Sequence, residues 1–167
     1  MRKTALFALA AMGSPAVVAV HALLLAGCTN AGGNDGDMAC KFSQRVREVD
    51  SFGGMPMPIR DYLEPKFDFG DPHTGGIAPR GGKWNATDVV TRDAPSRRFM
   101  RAGYAGDKWF LRWERGGIAY WRLFAVFALQ GGNVIVMAHG NLPSDNPCSA
   151  TEAAMDGRLP TGGELPW

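Results

Sequence analysis

The residues of this chain best suited to chemistry fall in two places. The first is Phe67-Asp-Phe-Gly-Asp-Pro-His-Thr-Gly-Gly, where Asp68, Asp71 and His73 could supply oxygen and imidazole ligands to a metal ion. Against that use, the stretch holds a single histidine, and Asp-Pro followed by Gly-Gly is ordinary turn chemistry. The second is the segment 97–140, where Arg101, Arg112 and Arg122 are interleaved with Phe99, Phe110, Tyr120 and Phe124, with Glu114, Met137 and His139 nearby. A guanidinium stacks on rings and reads acidic groups through two parallel hydrogen bonds, so this composition is enriched at binding hot spots. No Gly-x-Ser-x-Gly, His-Glu-x-x-His, phosphate-loop or Cys-x-x-Cys pattern occurs.

These residues can act together only if strands bring them to one face. Within 97–140, four apolar and aromatic runs are separated by Gly106-Asp107, Arg115-Gly116-Gly117 and Gly131-Gly132. Loop length sets hairpin register. A two-residue loop at Gly106-Asp107 pairs Tyr104 with Trp109 and Met100 with Trp113. A three-residue loop at Arg115-Gly116-Gly117 pairs Trp113 with Ala119 and Leu111 with Trp121. A two-residue loop at Gly131-Gly132 pairs Phe127 with Val136. Together these choices gather Met100, Ala102, Tyr104, Trp109, Leu111, Trp113, Ala119, Trp121, Leu123, Ala125, Phe127, Leu129, Val134, Val136 and Ala138 on one apolar face.

The second face then carries the candidate binding residues Arg101, Arg112, Glu114, Tyr120, Arg122 and His139. Arg101 falls opposite Arg112, Arg112 opposite Tyr120, and His139 opposite Phe124. His139 and Glu114 lie strands apart, which argues against an acid–base pair. The competing reading is a plain solvent face with arginine stems lying flat on it.

The apolar face needs a cover. Met38, Phe42, Val46 and Val49 fit one side of a helix over 38–49, with Asp37 as N-cap; a strand is the alternative. Residues 51–83 are dense in Gly and Pro and show no sustained period, a pattern of functional or disordered segments. A short strand is expected near Trp84–Thr91. Ser149-Ala-Thr-Glu152 has capping-box spacing, and Gly157 is placed to stop the helix it begins. The expected class is α+β: an antiparallel meander of about four strands (97–140), its apolar face covered by an N-terminal helix and Gly/Pro-rich segments.

The amino terminus has a different organisation. Arg2 and Lys3 precede two short apolar stretches, Ala5–Met12 and Ala16–Ala26, interrupted by Gly13-Ser14-Pro15. Neither reaches the ~20 residues of a bilayer-spanning helix. A removable export signal fits better. Leu25-Ala26-Gly27-Cys28 resembles the lipobox of bacterial lipoproteins. The resemblance covers the leader only. It implies that the Cys28 thiol receives diacylglycerol, that a peptidase cuts between Gly27 and Cys28, and that the new amino terminus is acylated, palmitate being a typical chain. Two or three acyl chains hold durably where one holds only marginally. Thr29, rather than aspartate, favours the outer membrane where the cell has one.

Residues 1–27 are thus read as signal peptide, 28–37 as lipidated cysteine and flexible tether, and 38–167 as one globular domain. The tether Thr-Asn-Ala-Gly-Gly-Asn-Asp-Gly-Asp has an r.m.s. reach of ~15–18 Å. All 16 acidic residues lie beyond the leader, and losing Arg2 and Lys3 from the 18 basic ones lowers the formal charge from +2 to 0. A neutral balance speaks against a nucleic-acid partner. Of the three cysteines, lipidation of Cys28 leaves Cys40 and Cys148, which in an oxidising compartment are expected to pair; two separate buried thiols are the alternative.

The functional expectation is a non-enzymatic binding module of the cell envelope, facing the periplasm or otherwise extracytoplasmic. It is held to the membrane through Cys28 and meets another protein or an acidic envelope component, as assembly factors and immunity-type inhibitors do. No cofactor or catalytic residue is expected. The alternative is an envelope hydrolase built on the 64–83 loop, with or without a metal.

Overall fold

A computed structural model describes residues 40–88, 91–143 and 145–159. The leader, Cys28, the tether with Asp37 and Met38, and the tail from residue 160 lie outside the described residues. Gly33–Trp167 is a compact unit by itself.

The unit is α+β. Its five strands run β1 (Arg47–Val49), β2 (Arg97–Ala105), β3 (Lys108–Arg115), β4 (Trp121–Gln130) and β5 (Asn133–Asn141), paired in that order and antiparallel throughout. Two hairpins follow from their turn residues. Ala105 pairs with Lys108 across Gly106-Asp107, with Gly106 at φ 62°. Gln130 pairs with Asn133 across Gly131-Gly132, whose φ values of 58° and 85° are those of a type I′ turn.

The middle hairpin differs from expectation. Trp113 pairs with Leu123 and Leu111 with Ala125, so the loop is Gly116–Tyr120, begun one residue later and ended three residues later than a three-residue turn at 115–117. The register moves by four residues, an even number, so both faces keep their side chains. Ala119 and Tyr120 pass into the loop, and Trp121 sits half-exposed at the strand's start.

Two bulges cause the remaining departures. Between Phe99 and Arg101 the register shifts, so Phe99 rather than Met100 faces Trp113 and Arg98 comes opposite Glu114. Between Val126 and Phe127 a second shift sets Val126 against Ala138 and Ala125 against His139. Ala138 therefore joins the second face and His139 leaves it, a correction to both assignments.

The first face packs Leu111, Trp113, Leu123, Ala125 and Phe127 against Met55, Ile59, Leu63 and Phe67. The cover is thus the Gly/Pro-rich segment, which contains the helix α1 (Met57–Leu63). Pro56 at its N-cap and Pro58 in its first turn cost nothing there, because first-turn N–H groups have no intrahelical acceptor.

No helix forms over the described part of 38–49. Residues 41–47 alternate exposed and half-buried, with Phe42, Gln44 and Val46 inward, and the chain then enters β1. Phe42 and Val46 are four apart, a spacing that satisfies a period of two as well as the helical one. Nor is there a strand at 84–88: Asn85 donates to the carbonyls of Thr91 (3.0 Å) and Ala94 (2.5 Å) and accepts from Thr91 N (2.7 Å), curling this stretch into a loop.

The second face is buried as well. Phe110, Phe124, Val126 and Ala138 pack against Leu142, Ala154 and Met155, with Phe42 and Val46 alongside. The covering helix, α2 (Pro147–Met155), is capped by Asn146 rather than Ser149, with Pro147 in the first turn. Glu152 instead accepts from the backbone N of Ser43 and Gln44 and from the Ser43 hydroxyl (2.9 Å), clamping the extended segment to the helix. Gly157, at φ 71°, ends α2 as expected: Arg158 N bonds Ala153 O and Gly157 N bonds Ala154 O, a Schellman pair. Cys40 and Cys148 form a disulfide, with Cα atoms 5.8 Å apart.

Candidate functional site

The arginine and aromatic face divides in two. Its inner half is core. Arg112, directly opposite Arg101 as expected, is fully buried, and Arg101 nearly so. A buried guanidinium is tolerated only where acceptors meet it. Arg112 donates through Nε and Nη2 to the Thr151 hydroxyl (3.0 and 2.8 Å), and through Nη2 to Pro147 O (2.7 Å). Arg101 forks onto Glu48, Nε to Oε2 at 3.0 Å and Nη2 to Oε1 at 2.5 Å, and donates to Cys40 O at 3.0 Å. The bond from Arg101 holds the Glu48 carboxyl below its ordinary range.

Both guanidinium groups lie over the Phe42 ring, at 4.8 and 5.2 Å. Both also reach the disulfide: Arg101 Nη1 is 3.5 Å from Cys148 Sγ and Arg112 Nη1 is 3.5 Å from Cys40 Sγ. This half is a polar joint that fastens α2 and residues 40–46 to the sheet. Neither arginine is available to a partner in this fold.

The outer half, at the end of the sheet carrying the β3–β4 loop, is partly open. Arg98 Nε donates to Glu114 Oε2 (2.6 Å), and the Tyr120 hydroxyl donates to the other oxygen of Glu114. Burial, followed by that bond, holds the Tyr120 hydroxyl above its ordinary range. Glu114 is itself buried and faces Arg122 across β4. Trp84 closes the group, with Arg98 over its ring at 4.9 Å and the Tyr120 ring 6.3 Å away. Arg98 and Trp84 escaped the sequence reading. The bulge at Met100 turned Arg98 to this face, and Trp84 arrives on a loop with no periodic signal.

What positions that loop is a glycine. Gly116 N donates to Ser96 O (2.8 Å), and a Cβ on Gly116 would stand 1.9 Å from Asn85 O. The requirement is space for the Asn85 backbone. Gly116→Ala is expected to destabilise by roughly 2–4 kcal/mol, because backbone must move on both sides. Urea unfolding checks this, and a loss below about 0.5 kcal/mol would show that the contact is slack.

His139 pairs with Ala125, apart from this cluster, and burial lowers its basicity. In the 64–83 loop, the Asp71 carboxylate accepts from His73 N (2.8 Å) and from the Thr74 hydroxyl, the latter bond chiefly holding it below its ordinary range. His73 Nδ1 lies 3.2 Å from Asp93 on the open surface. Asp68, at φ 54°, takes the left-handed conformation of a turn residue. Among the described residues no group of three His, Cys, Asp or Glu side chains could hold a metal ion, and no helix is long and apolar enough to cross a membrane.

Fold and cluster together define an α+β domain: one five-stranded antiparallel sheet, covered on both faces, with charged and aromatic groups at one end. The chain matches no family model, no curated protein and no solved structure.

Proposed function

We propose that this is a lipid-anchored lipoprotein of the cell envelope whose domain, tethered through Cys28, is a non-enzymatic binding module. Its contact surface is the outer cluster of Arg98, Glu114, Tyr120 and Arg122 with Trp84, and its ligand is an acidic group on an envelope component. The observation that carries the binding reading is the preset geometry of this cluster. Arg98 is fixed by Glu114 and by the Trp84 ring, and Tyr120 by the same carboxylate, while the Tyr120 side remains open to solvent. Preorganised side chains lose little freedom on binding, which favours affinity. The anchor rests on Leu25 to Cys28.

Two measurements test this. Palmitate labelling of the full chain should vanish in Cys28→Ala; label retained in that variant removes the anchor. Separately, the chain from Gly33 should retain envelope components on a column, and Tyr120→Ala combined with Arg122→Gln should reduce retention about tenfold with the fold intact. Equal retention would make the cluster ordinary surface. Arg112 is not a suitable target, since its replacement would test the core.

A further inference from the structure

The loop Gly116–Tyr120 carries the most exposed large apolar side chain among the described residues. Ile118 is 98% exposed, and beside it along the chain Tyr120 is 51% and Trp121, the first residue of β4, 42% exposed. The strand ends beneath it are cationic. Arg98 pairs with Glu114, Glu114 with Arg122 and Arg115 with Trp121, giving three arginines against one buried glutamate, while Arg97, opposite Arg115, is buried over Phe67. Exposed Lys83 adjoins Trp84 at the same end.

We infer that this loop seats the domain on an anionic phospholipid surface, Ile118 entering the acyl boundary, Tyr120 and Trp121 lying at headgroup level, and Arg115 and Arg122 meeting lipid phosphates. The inference deepens the binding reading above and names the acidic component that the cluster meets. Three features favour a bilayer over a protein pocket. Ile118 is almost wholly exposed instead of centring a well-packed apolar patch, which is how protein hot spots are built. Its neighbours are the amphipathic aromatics and arginines enriched where membrane meets water. Each cation close to an anionic leaflet adds attraction that falls off within a Debye length.

The third feature is where the tether would enter. Cys40 Sγ is 3.5 Å from Arg112 Nη1, so the chain joins the domain over the second face, beside a residue whose backbone lies three positions, about 10 Å along the strand, from the end of β3 that carries the loop. The segment from Cys28 to Cys40 can span at most about 43 Å. One isoleucine is a weak membrane ligand by itself. Confined beside the surface it acts at high effective concentration, enough to choose which end of the domain faces the bilayer.

The test separates this inference from the anchor. The chain from Gly33, which contains both cores and the disulfide, is held by an amino-terminal hexahistidine tag on nickel-chelating vesicles, whatever happens at Cys28. With brominated phosphatidylglycerol, tryptophan fluorescence should be quenched, and Ile118→Asp or Trp121→Phe should each remove about half of that quenching. Brominated phosphatidylcholine should quench less, and added salt should narrow the difference. Equal quenching in wild type and Ile118→Asp, or none in either, overturns the inference. So does a result in which Ile118→Asp releases a captured envelope protein while quenching is unchanged, which would make the loop a protein contact. Failure of palmitate labelling at Cys28 bears on the anchor and leaves this result standing.

Discussion

Cys148→Ser is expected to lower the stability of the domain by about 4–5 kcal/mol, the chain-entropy value for a link between residues 108 apart in sequence. The bridge closes almost the whole domain into one loop, so the unfolded chain gains nearly its full freedom when it is cut. The loss is not confined to the unfolded state. Cys148 lies in the first turn of α2, and Cys40 opens the segment that Glu152 clamps to that helix. With the bridge gone, that clamp, the two arginines and the apolar contacts of Phe42, Val46, Ala154 and Met155 hold the second layer without a covalent link. Denaturant unfolding without reductant measures the difference, and reductant should bring the wild type towards the variant. Unchanged mobility on a non-reducing gel, together with an unchanged midpoint, would rule out the bridge.

The second large effect is expected at Arg112. Arg112→Ala should cost about 3–5 kcal/mol, because it takes the charged donor from the Thr151 hydroxyl and Pro147 carbonyl, leaving them only their bond to each other (2.9 Å), and empties volume between Phe42 and Phe110. Arg112→Met should cost less, about 1–2 kcal/mol. It keeps most of the volume and removes a cation whose desolvation opposed folding. Urea midpoints of the two variants decide the matter. An equal loss for methionine and alanine would show that polar contacts, not packing, keep the arginine there. Since Arg112 lies outside the exposed cluster, neither change should alter binding beyond the fraction unfolded.

The sheet was readable in the sequence because glycine turns punctuate it. Gly106-Asp107 and Gly131-Gly132 have two-residue geometry, and they placed Tyr104 against Trp109 and Phe127 against Val136. The longer loop at Gly116–Tyr120 altered register without altering faces, so the apolar set survived an error of four residues. Bulges have no such protection. One extra residue at Met100 or Met137 exchanges the faces of everything beyond it, and nothing in the local composition announces either.

The covering layers were harder to read. Phe42 and Val46 satisfy two periods at once, and α1 hides between prolines whose helix-starting role needs the first turn to be known. Hardest was the fate of Arg101 and Arg112. Sequence assigned their face correctly but could not say what lies over it. Their acceptors, Thr151, Pro147 O, Glu48 and Cys40 O, come from segments 35 to 61 residues away. The exposed cluster was half visible: Glu114, Tyr120 and Arg122 were found, while Arg98 and Trp84 depended on a bulge and an irregular loop.

The position of the disulfide has a mechanical consequence. Every strand, from Arg47 to Asn141, and the helix α1 lie between Cys40 and Cys148 along the chain. A pull applied between the two ends of the protein enters at one cysteine and leaves at the other through covalent bonds. The sheet is bypassed. Tension of that kind can peel the last turns of α2, but the hairpins carry none of it while the bridge is closed.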